Sequence, residues 1–451
     1  MLEVLTELQL PQPLGQLRAV PVNLGAGQER AFLVVYGPDF DCDPYQEMFF
    51  YPQGTLTMAV YTLSGKLLWS RDLGRGVVPG MWFCPVLPFD LNGDGVDELW
   101  LVDNPDTDHP LALSKYRLLC LDAASGAERG AWPWPKGVDQ PISQAYRNFI
   151  AGGYVHGQPV LITAQGTYGP MYLQGWDPGM VKRWETTITM EEAGARGSHM
   201  CPILDWNGDG VDELFWGERL LELDGGRELL CLDRENYRGH SDVVQPVRHP
   251  ATGQWYVYTC RESHQKAAPR VALFDGEGRL VWGALEWGHI DMGWVANLNG
   301  RPVASAIRIG AKTLGPGGRA HQGMEEFAFD LFTGEPIDLG FKTYGTTPVD
   351  VNGDGFHELV RGRPGDDGML LDGAGRELRH LGGTLAYGAK FCDLPGEQLI
   401  MHTPDGKVRL WHDPAARDSK AALARYAHPF YQSNARLTAT GSNHINLSGL
   451  L

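Results

Sequence analysis

The sequence predicts an all-β fold: a β-propeller, with eight blades or seven as the alternative, that forms one domain over residues 1–451. Short strand-like runs alternate with turn clusters along the whole chain, and no amphipathic helix of three turns appears. An acidic ten-residue segment recurs three times between strand-like flanks. Repeated hairpins indicate a repeat architecture, and a radial ring of small sheets leaves only short, protected edges. An elongated solenoid is the other architecture that such repeats allow.

The acidic segment reads Asp-Leu-Asn-Gly-Asp-Gly-Val-Asp-Glu-Leu at 90–99, with close copies at 205–214 and 350–359. Oxygen-bearing side chains at positions 1, 3, 5 and 9, with Gly at position 6 for the sharp turn, are typical of calcium loops. The predicted Ca²⁺ ligands are Asp90, Asn92, Asp94, Glu98, Asp205, Asn207, Asp209, Glu213, Asp350, Asn352, Asp354 and Glu358.

These segments are not EF-hands, because position 12 carries Leu101, Trp216 or Arg361 instead of Glu and the flanks are strand-like. We therefore expect calcium loops inside β-hairpins. The alternative is that Asn-Gly-Asp-Gly is only good turn chemistry. Turns alone, however, do not require the Asp, Asn and Glu residues around it.

A second motif, close to apolar-Asp-x-x-x-Gly, recurs at 61–69, 121–126, 274–282 and 371–375. We interpret it as the tight hairpin that joins the two outer strands of a blade. Candidate innermost strands then begin near Arg18, Cys84, Phe149, Cys201, Asp242, Met292, Thr347 and Gly388. We expect residues 436–440 to complete a sheet with the N-terminal strands and so close the ring.

The composition excludes some classes of partner. The chain carries 38 Lys and Arg against 55 Asp and Glu, a formal charge of −17, and has no basic run. Nucleic acid and membranes are therefore not expected partners. No signal peptide and no membrane-spanning apolar stretch is visible, and the seven scattered Cys suit reduced, buried thiols. We expect a cytoplasmic protein, or a secreted one if a signal has been removed, and a monomer.

Propeller geometry places the calcium loops on one face of the ring. Loops that enter the first strand of a blade, or follow its second strand, emerge on the opposite face around the central channel. Five of the 14 His fall in those loops: His109, His199, His240, His264 and His289. Arg196, Arg308 and Lys312 fall there too. A single His would more often be structural, but this group in an acidic protein indicates a functional cationic mouth, and a His-rich zinc site there is an alternative.

The stretch 196–217, the Asp-Gly hairpin at 221–225 and Gly-His-Ser-Asp at 239–242 together resemble the propeller-fold polysaccharide lyases. That group includes the rhamnogalacturonan, ulvan and rhamnose–glucuronate lyases, with FG-GAP-type calcium loops. The resemblance implies β-elimination next to a uronic acid: a cation neutralises the uronate carboxylate, a base removes the C5 proton, and an acid protonates the leaving oxygen at C4.

The resemblance also implies roles for residues. Such enzymes pair a catalytic Tyr with an Arg a little further along, which Tyr168 and Arg183 match. We expect Tyr168 and His109 as acid and base, with His199 and His240 assisting. Arg183 or Arg196 would clamp the uronate, and His264, His289, Arg308 and Lys312 would bind substrate. Trp82 stands where some relatives carry a second His. The expected partner is a uronate-containing oligo- or polysaccharide; the alternative function is a non-catalytic, calcium-stabilised propeller that binds carbohydrate or protein.

Overall fold

The computed structural model describes residues 2–134, 141–262, 268–315 and 318–451. In the described residues, eight antiparallel sheets form the blades of an eight-bladed β-propeller and a ninth, two-stranded sheet is an inserted hairpin, which confirms the predicted fold and blade number. The eight innermost strands begin within a few residues of the eight predicted starts. No helix among the described residues is long and apolar enough to cross a membrane.

Blades I to IV follow one another along the chain. Blade I contains β2 (Gln16–Val22), β3 (Ala31–Gly37), β4 (Thr57–Thr62) and β5 (Leu67–Asp72). Blade II contains β6 (Val86–Phe89), β7 (Glu98–Asp103), β8 (Arg117–Asp122) and β9 (Glu128–Pro133). Blade III contains β10 (Asn148–Val155), β11 (Gln158–Gln165), β12 (Met171–Asp177) and β13 (Val181–Ile188). Blade IV contains β14 (Ile203–Leu204), β15 (Glu213–Phe215), β16 (Arg219–Glu222) and β17 (Glu228–Cys231).

Blades V to VIII complete the ring. Blade V contains β18 (Ser241–Arg248), β19 (Trp255–Arg261), β20 (Val271–Phe274) and β21 (Leu280–Ala284). Blade VI contains β22 (His289–Leu298), β23 (Arg301–Ile309) and β26 (Glu325–Asp330), with an inserted hairpin of β24 (Ala311–Gly315) and β25 (Gly318–Gln322). Blade VII contains β27 (Thr346–Val349), β28 (Glu358–Arg361), β29 (Met369–Leu371) and β30 (Glu377–His380). Blade VIII contains β31 (Thr384–Ala389), β32 (Gln398–His402), β33 (Lys407–His412) and the N-terminal β1 (Glu3–Gln9).

The helices are short. Helix α1 (Ile142–Ala145) precedes blade III, whereas α2 (Lys420–Ala427) and α3 (Pro429–Ala435) follow blade VIII. Single 3₁₀ turns occur at Gln46–Met48, Leu113–Lys115, Arg436–Ala439 and Asn443–Gly449.

Ring closure differs from the prediction. Strand β1 pairs with β33 and supplies the outermost strand of blade VIII, so the N-terminus closes the ring. Residues 436–440 join no sheet. The 3₁₀ turn Arg436–Ala439 instead packs against the innermost strands β2 and β6, and the turn Asn443–Gly449 packs against β18, β22, β27 and β31. The C-terminal segment therefore fills the central channel of the propeller.

The burial of the strands follows their position in a blade. All seven residues of β3 are buried, and its sequence Ala-Phe-Leu-Val-Val-Tyr-Gly is an unbroken apolar run. The outermost strand β5 contains no buried residue. Inner strands pack against neighbouring blades on both faces, whereas outer strands keep one face in water, so only the outer strands alternate in polarity.

The three predicted calcium loops lie where the sequence places them, between the first and second strands of blades II, IV and VII. Their eighth position also joins neighbouring blades, because its side chain accepts a hydrogen bond from a backbone N–H of the preceding blade. These bonds are Asn23 N–H to Asp97 (2.7 Å), Tyr154 N–H to Asp212 (2.8 Å) and Asn297 N–H to His357 (3.0 Å). The loops thus help to fix the spacing of the blades.

Candidate active site and cation site

Eight polar side chains converge at the channel mouth on the face opposite the calcium loops, and we call them the mouth cluster. They come from the loops and strand ends of blades III to VI, as the loop sorting predicts. The mouth cluster is Tyr168, His199, His240, Asp242, Glu262, His289, Asp291 and Lys312.

His199, His240 and Asp242 have the geometry of a cation site. His199 Nδ1 lies 3.3 Å from Asp242 Oδ1, and His240 Nε2 lies 3.4 Å from the same oxygen. Within the described residues, His199 Nε2, both ring nitrogens of His240 and both Asp242 oxygens are buried without a hydrogen-bond partner. Leaving so many buried polar atoms unsatisfied is costly, and an imidazole–carboxylate set can ligate a divalent metal. The residues present therefore fit a cation.

The electrostatics of this trio agree with that geometry. Burial, followed by the charges of His240 and Arg147, holds the pKa of His199 well below its usual value, so the ring is in the neutral form that binds metals. Burial and the nearby charge of Glu262 raise the pKa of Asp242 above its usual value. A divalent cation bound to Asp242 would stabilise its ionised form and so lower its pKa.

Asp242 also faces a network of ion pairs. His289 Nε2 lies 3.5 Å from Asp242 Oδ2, 3.1 Å from Glu262 Oε1 and 3.0 Å from Asp291 Oδ1. The Lys312 ammonium pairs with Asp291. Asp242, His289 and Asp291 make a second set of ligand atoms close enough to hold one ion. Three carboxylates therefore face the two cationic side chains of His289 and Lys312, and the balance favours a further positive charge.

These contacts set the charge states of the network. Burial opposes the protonation of His289, but its ion-pair contacts with the carboxylates of Asp242, Asp291 and Glu262 raise its pKa to about 11. Burial likewise opposes ionisation of Glu262, but its bond with His289 and the charges of His240, His289 and Lys312 lower its pKa to about 2. Lys312 keeps its proton because the charge of Asp291 outweighs burial and raises its pKa. Glu262, His289 and Lys312 are therefore charged at neutral pH.

Tyr168 joins the mouth cluster at its edge. Its hydroxyl donates to Glu262 Oε2 at 2.7 Å, and its ring stacks on His240 with the centroids 4.4 Å apart. Burial, followed by the Glu262 charge, raises the pKa of Tyr168 well above its usual value, so the phenol stays protonated. Its φ of 66° lies in the left-handed region, which few non-glycine residues occupy and which is frequent at functional sites.

A cleft of about 430 Å³ opens beside the mouth cluster and over the channel. His199, Asp242 and Asp291 line one side of it, and Ser442 and His444 of the C-terminal segment also line it. The volume is that of a small-molecule or sugar site.

Arg363 and His321 also line the cleft, and His321 Nε2 lies 3.7 Å from Asp291 Oδ2. Arg363 Nη2 lies 3.2 Å from His321 Nδ1, and the guanidinium lies 4.7 Å from the centre of the Tyr344 ring. A guanidinium only donates, so Nδ1 of His321 is the acceptor. In the described part of the chain, no carboxylate forms an ion pair with Arg363. Arg363 therefore lines the cleft with a guanidinium that makes no direct ion pair with a described carboxylate.

The chain is similar in sequence to two bacterial enzymes. The chain is 24% identical over 283 residues to the rhamnogalacturonan exolyase YesX of Bacillus subtilis (strain 168), covering 54% of this chain and 45% of that relative. It is 24% identical over 281 residues to the rhamnogalacturonan endolyase YesW of the same organism, covering 55% and 44%. The chain thus spans about half the length of the curated relatives it matches. No protein-family profile matches it.

The chain resembles the rhamnogalacturonan lyases. The solved structure of exotype rhamnogalacturonan lyase YesX superposes with a TM-score of 0.79 at 19% identity, covering 96% of this chain and 80% of that one. Rhamnogalacturonan lyase PL11 of Bacillus licheniformis gives a TM-score of 0.76 at 17% identity, covering 96% and 80%. The predicted resemblance to propeller-fold polysaccharide lyases is confirmed, and at these identities the structures establish the shared fold.

Three arginines predicted from that resemblance or from the loop sorting have other partners. Arg183 lies on the outermost strand β13 and pairs with Asp177 at 2.9 Å and with Asp224, so these ion pairs are away from Tyr168. Arg196 donates from its guanidinium to the backbone carbonyls of residues 189, 190 and 192. The roles predicted for these two arginines stay predictions. Arg308 donates to Glu325 at 2.7 Å. Each of these guanidinium groups is therefore engaged by protein acceptors in the described structure.

Three of the five predicted histidines lie in the mouth cluster. His199, His240 and His289 belong to the mouth cluster, as does Lys312, although the structure does not test their roles. His109 is exposed, and the Tyr168 hydroxyl that was to pair with it donates to Glu262 instead. His264 lies outside the described residues.

Sequence reasoning missed the acidic half of the mouth cluster. Asp242 and Asp291 close two copies of Gly-His-x-Asp, at 239–242 and 288–291, and Glu262 directly follows Arg261. The repeated motif at the start of two consecutive blades was the signal for the first two. Trp82, which replaces an expected His, packs on His199 with the centroids 4.9 Å apart and so fills the space of a ring without offering a ligand.

The calcium loops also fit their ion. Glu213 has a buried Oε1 atom without a partner among the described residues. Burial, with the charges of Asp209 and Asp205, raises the pKa of Glu213 to about 8, and burial with Asp350 and Asp354 does the same for Glu358. Carboxylates held so close together repel one another until a cation is bound.

Proposed function

We propose that this chain is a polysaccharide lyase that cleaves a rhamnose- and uronate-containing polysaccharide by β-elimination. The observation that carries the proposal is the set of unsatisfied, buried ligand atoms of His199, His240 and Asp242 beside an open cleft. The similarity to a rhamnogalacturonan exolyase and endolyase supports the reaction class and suggests rhamnogalacturonan as the first substrate to try. A rhamnose–glucuronate linkage is the second.

In β-elimination, the hydrogen on C5 of the uronate leaves as a proton, the bond from C4 to the glycosidic oxygen breaks, and a double bond forms between C4 and C5. The difficulty is the weak acidity of the C5 hydrogen. A divalent cation bound by His199, His240 and Asp242 would withdraw charge from the uronate carboxylate and make that hydrogen more acidic.

Arg363 of the cleft and Lys312 of the mouth cluster are suited to hold the substrate carboxylate. Arg363 has no carboxylate partner in the described structure, and its planar fork matches a carboxylate. Lys312 keeps its charge beside Asp291 and contributes a positive field at the cluster. Together they take over the role that Arg183, Arg196 and Arg308 were predicted to play.

The residues of the chain also supply a path for protons. Tyr168 donates to one oxygen of Glu262, and His289 lies 3.1 Å from the other, so the three form one hydrogen-bonded relay. The phenol and the imidazolium each carry a proton, and the carboxylate between them accepts one. Glu262 is the member of the relay that can accept a proton, so it takes the C5 proton while Tyr168 or His289 gives its own proton to the C4 oxygen as the C4–O bond breaks. The proton on Glu262 then passes to that donor, and all three groups end as they began.

We propose a structural role for calcium. The three loops lie on the opposite face and fix the hairpin turns of blades II, IV and VII, and their eighth positions join adjacent blades. Calcium there would stabilise the ring rather than touch the substrate.

The test is incubation with rhamnogalacturonan and a panel of other uronate polysaccharides. A C4–C5 double bond conjugated with the carboxylate absorbs ultraviolet light, so lyase activity raises the absorbance whereas hydrolysis does not. His240→Gln and Asp242→Asn should each abolish the rise. A matched control is His249→Gln, because His249 is a half-buried histidine outside the mouth cluster.

Two results would count against the proposal. If no uronate polysaccharide yields an unsaturated product but one of them binds, the non-catalytic propeller is the better interpretation. If product forms at full rate after metal removal with a chelator, and in Asp242→Asn, the cation site has no part in the reaction.

A further inference from the structure

We propose that Trp287 is a stacking platform for a pyranose ring of the substrate, one subsite away from the mouth cluster. The inference rests on the proposed function for the identity of the ligand. Trp287 is 65% exposed, although its loop enters the first strand of blade VI only two residues before His289. A large apolar ring left in water two residues from a side chain of the mouth cluster is placed to contact a bound substrate.

The exposed indole is braced from below. The guanidinium of Arg308 lies 3.9 Å from the Trp287 ring centre and 5.2 Å from that of Phe327, so it is held between two aromatic rings. It also donates to Glu325 at 2.7 Å and to the carbonyl of Trp287 at 3.2 Å. Four contacts fix Arg308, and Arg308 in turn fixes one face of the indole.

The backbone of the loop is shaped for this brace. Gly288 has a φ of 106°, and a Cβ atom added there would lie 2.2 Å from Cδ of Arg308. Leu285, at the start of the loop, has a φ of 60°, a conformation that costs a non-glycine residue free energy. A strained turn and an obligatory glycine together hold in place a side chain that contributes little to the core. That arrangement suits a ligand-binding role better than a stability role.

The ligand follows from the chemistry of the two faces. One face of the indole is covered by a cation, and the free face is flat, apolar and electron-rich. The faces of a pyranose ring carry C–H groups, which pack on such a surface by weak hydrogen bonds and apolar contact. Since His289 is two residues away, a sugar on Trp287 would belong to the same chain as the uronate at the mouth cluster. Trp287 thus acts on affinity for longer substrates, not on the chemical step.

The experiment compares wild type, Trp287→Ala and Trp287→Phe on rhamnogalacturonan oligosaccharides of increasing length. We expect Trp287→Ala to raise KM about five- to tenfold on the long oligosaccharides, with kcat and the shortest substrates unaffected. Trp287→Phe should recover part of the affinity. Arg308→Met, which removes the brace but keeps the indole, should raise KM less than Trp287→Ala. The control is Leu280→Ala, a similarly exposed side chain on the outer strand β21.

Binding of the longest oligosaccharide, measured by calorimetry, separates this proposal from the proposed function. If wild type yields no product but binds, and Trp287→Ala weakens binding, the platform holds and the lyase assignment fails. If Trp287→Ala changes nothing, or lowers kcat equally on all lengths, the platform is wrong. If it alters sedimentation of the free protein instead of affinity, Trp287 serves a contact between copies of the chain, and the proposal is also overturned.

Discussion

At the scale of single residues, Tyr168 offers the most direct test of proton transfer. Its hydroxyl is the only part of the side chain that reaches Glu262, and the ring is held separately by stacking on His240. Tyr168→Phe should therefore keep the ring packing and lose roughly 10²- to 10⁴-fold in kcat, the usual contribution of acid–base assistance. Initial rates of unsaturated product formation give the number.

A structural role of Tyr168 would give a different result. Tyr168→Phe would then change the melting temperature and leave kcat near the wild-type value. Tyr172→Phe is a suitable control, since Tyr172 lies on β12 of the same blade and outside the mouth cluster.

The predicted site residues show what a sequence can and cannot supply. The histidines of the mouth cluster follow from blade register alone, because each lies at the start of an innermost strand. The sequence does not show which of the predicted Arg and Lys side chains faces the substrate. The carbonyls that accept from Arg196 and the carboxylate that pairs with Arg308 come from elements whose contacts only the folded chain shows. Asp242 and Glu262 were missed for the same reason: their unsatisfied or shared atoms become visible only in the fold.

His402 predicts an acid-sensitive fold. It is buried beside the cleft, and burial lowers its pKa from 6.5 to about 4. Between these values the unfolded chain binds a proton that the folded chain does not, so stability falls as pH falls from about 6.5 to about 4. The effect reaches about 3 kcal/mol at the lower pH. Urea unfolding at several pH values should show a shallower pH dependence for His402→Gln; an identical slope would contradict the argument.

At the scale of elements, the loops between the first and second strands of blades II, IV, VII and VIII differ in the cationic side chains that contact them. In the blade II loop, Glu98 pairs with Arg129 at 3.1 Å, and in the blade VII loop, Asp350 pairs with Arg425 at 3.0 Å. The blade VIII loop has Lys390 in place of the first Asp, and its ammonium donates to the carbonyl of Leu394 at 2.6 Å. Only the blade IV loop, among these four described loops, has a ligand carboxylate oxygen buried without a partner.

The blade IV loop should therefore depend most on calcium. A chelator should lower the melting temperature of wild type, and Glu213→Gln should shrink that drop because the repulsion it removes exists only in the metal-free loop. Lys390→Met serves as the contrasting variant: its melting temperature should fall equally with and without chelator. If the chelator leaves the melting temperature of wild type unchanged, calcium does not stabilise the fold.

The elements were largely predictable, and the exceptions have a common cause. Eight strand starts and three loops follow from local patterns: turn residues, alternation and the spacing of apolar runs. Helices α2 and α3 span only eight and seven residues, too short for a clear period and too short to be stable alone, so their stability comes from packing on the ring. The 3₁₀ turns at 436–449 contain apolar and small polar residues because they lie inside the channel. In the sequence, that composition resembles a strand.

At the scale of the whole molecule, the C-terminal segment connects the two faces of the propeller. On the calcium face, Arg425 donates to Asp350 and to the carbonyl of Leu450. On the opposite face, the Ser442 N–H donates to the carbonyl of His199 at 2.7 Å. The segment therefore helps to hold the backbone of His199, one of the three residues of the cation site, in place. Its place in the channel was not predictable, because both termini look strand-like and no local pattern indicates which of them pairs with β33.

Two buried asparagines of this segment allow the support to be tested. Asn443 accepts from the N–H of Cys201 at 2.8 Å, and Asn434 accepts from the N–H of Ile203 at 3.2 Å. Both are fully buried, so either Asn→Ala change leaves a backbone N–H unsatisfied and should cost about 1–3 kcal/mol of unfolding free energy. Asn443, however, lies one residue from Ser442, which holds His199, whereas Asn434 lies on α3.

We therefore expect Asn443→Ala and Asn434→Ala to lose similar stability in urea, but only Asn443→Ala to weaken metal binding at the mouth cluster and to lower kcat. Metal affinity is measured by calorimetry on protein whose calcium loops are already saturated, so that the signal comes from the His199 site. If both variants lose activity in proportion to their stability, the segment acts only as a filler of the channel. If Asn443→Ala keeps full metal affinity, His199 is positioned by blade IV alone and the channel segment has no part in the site.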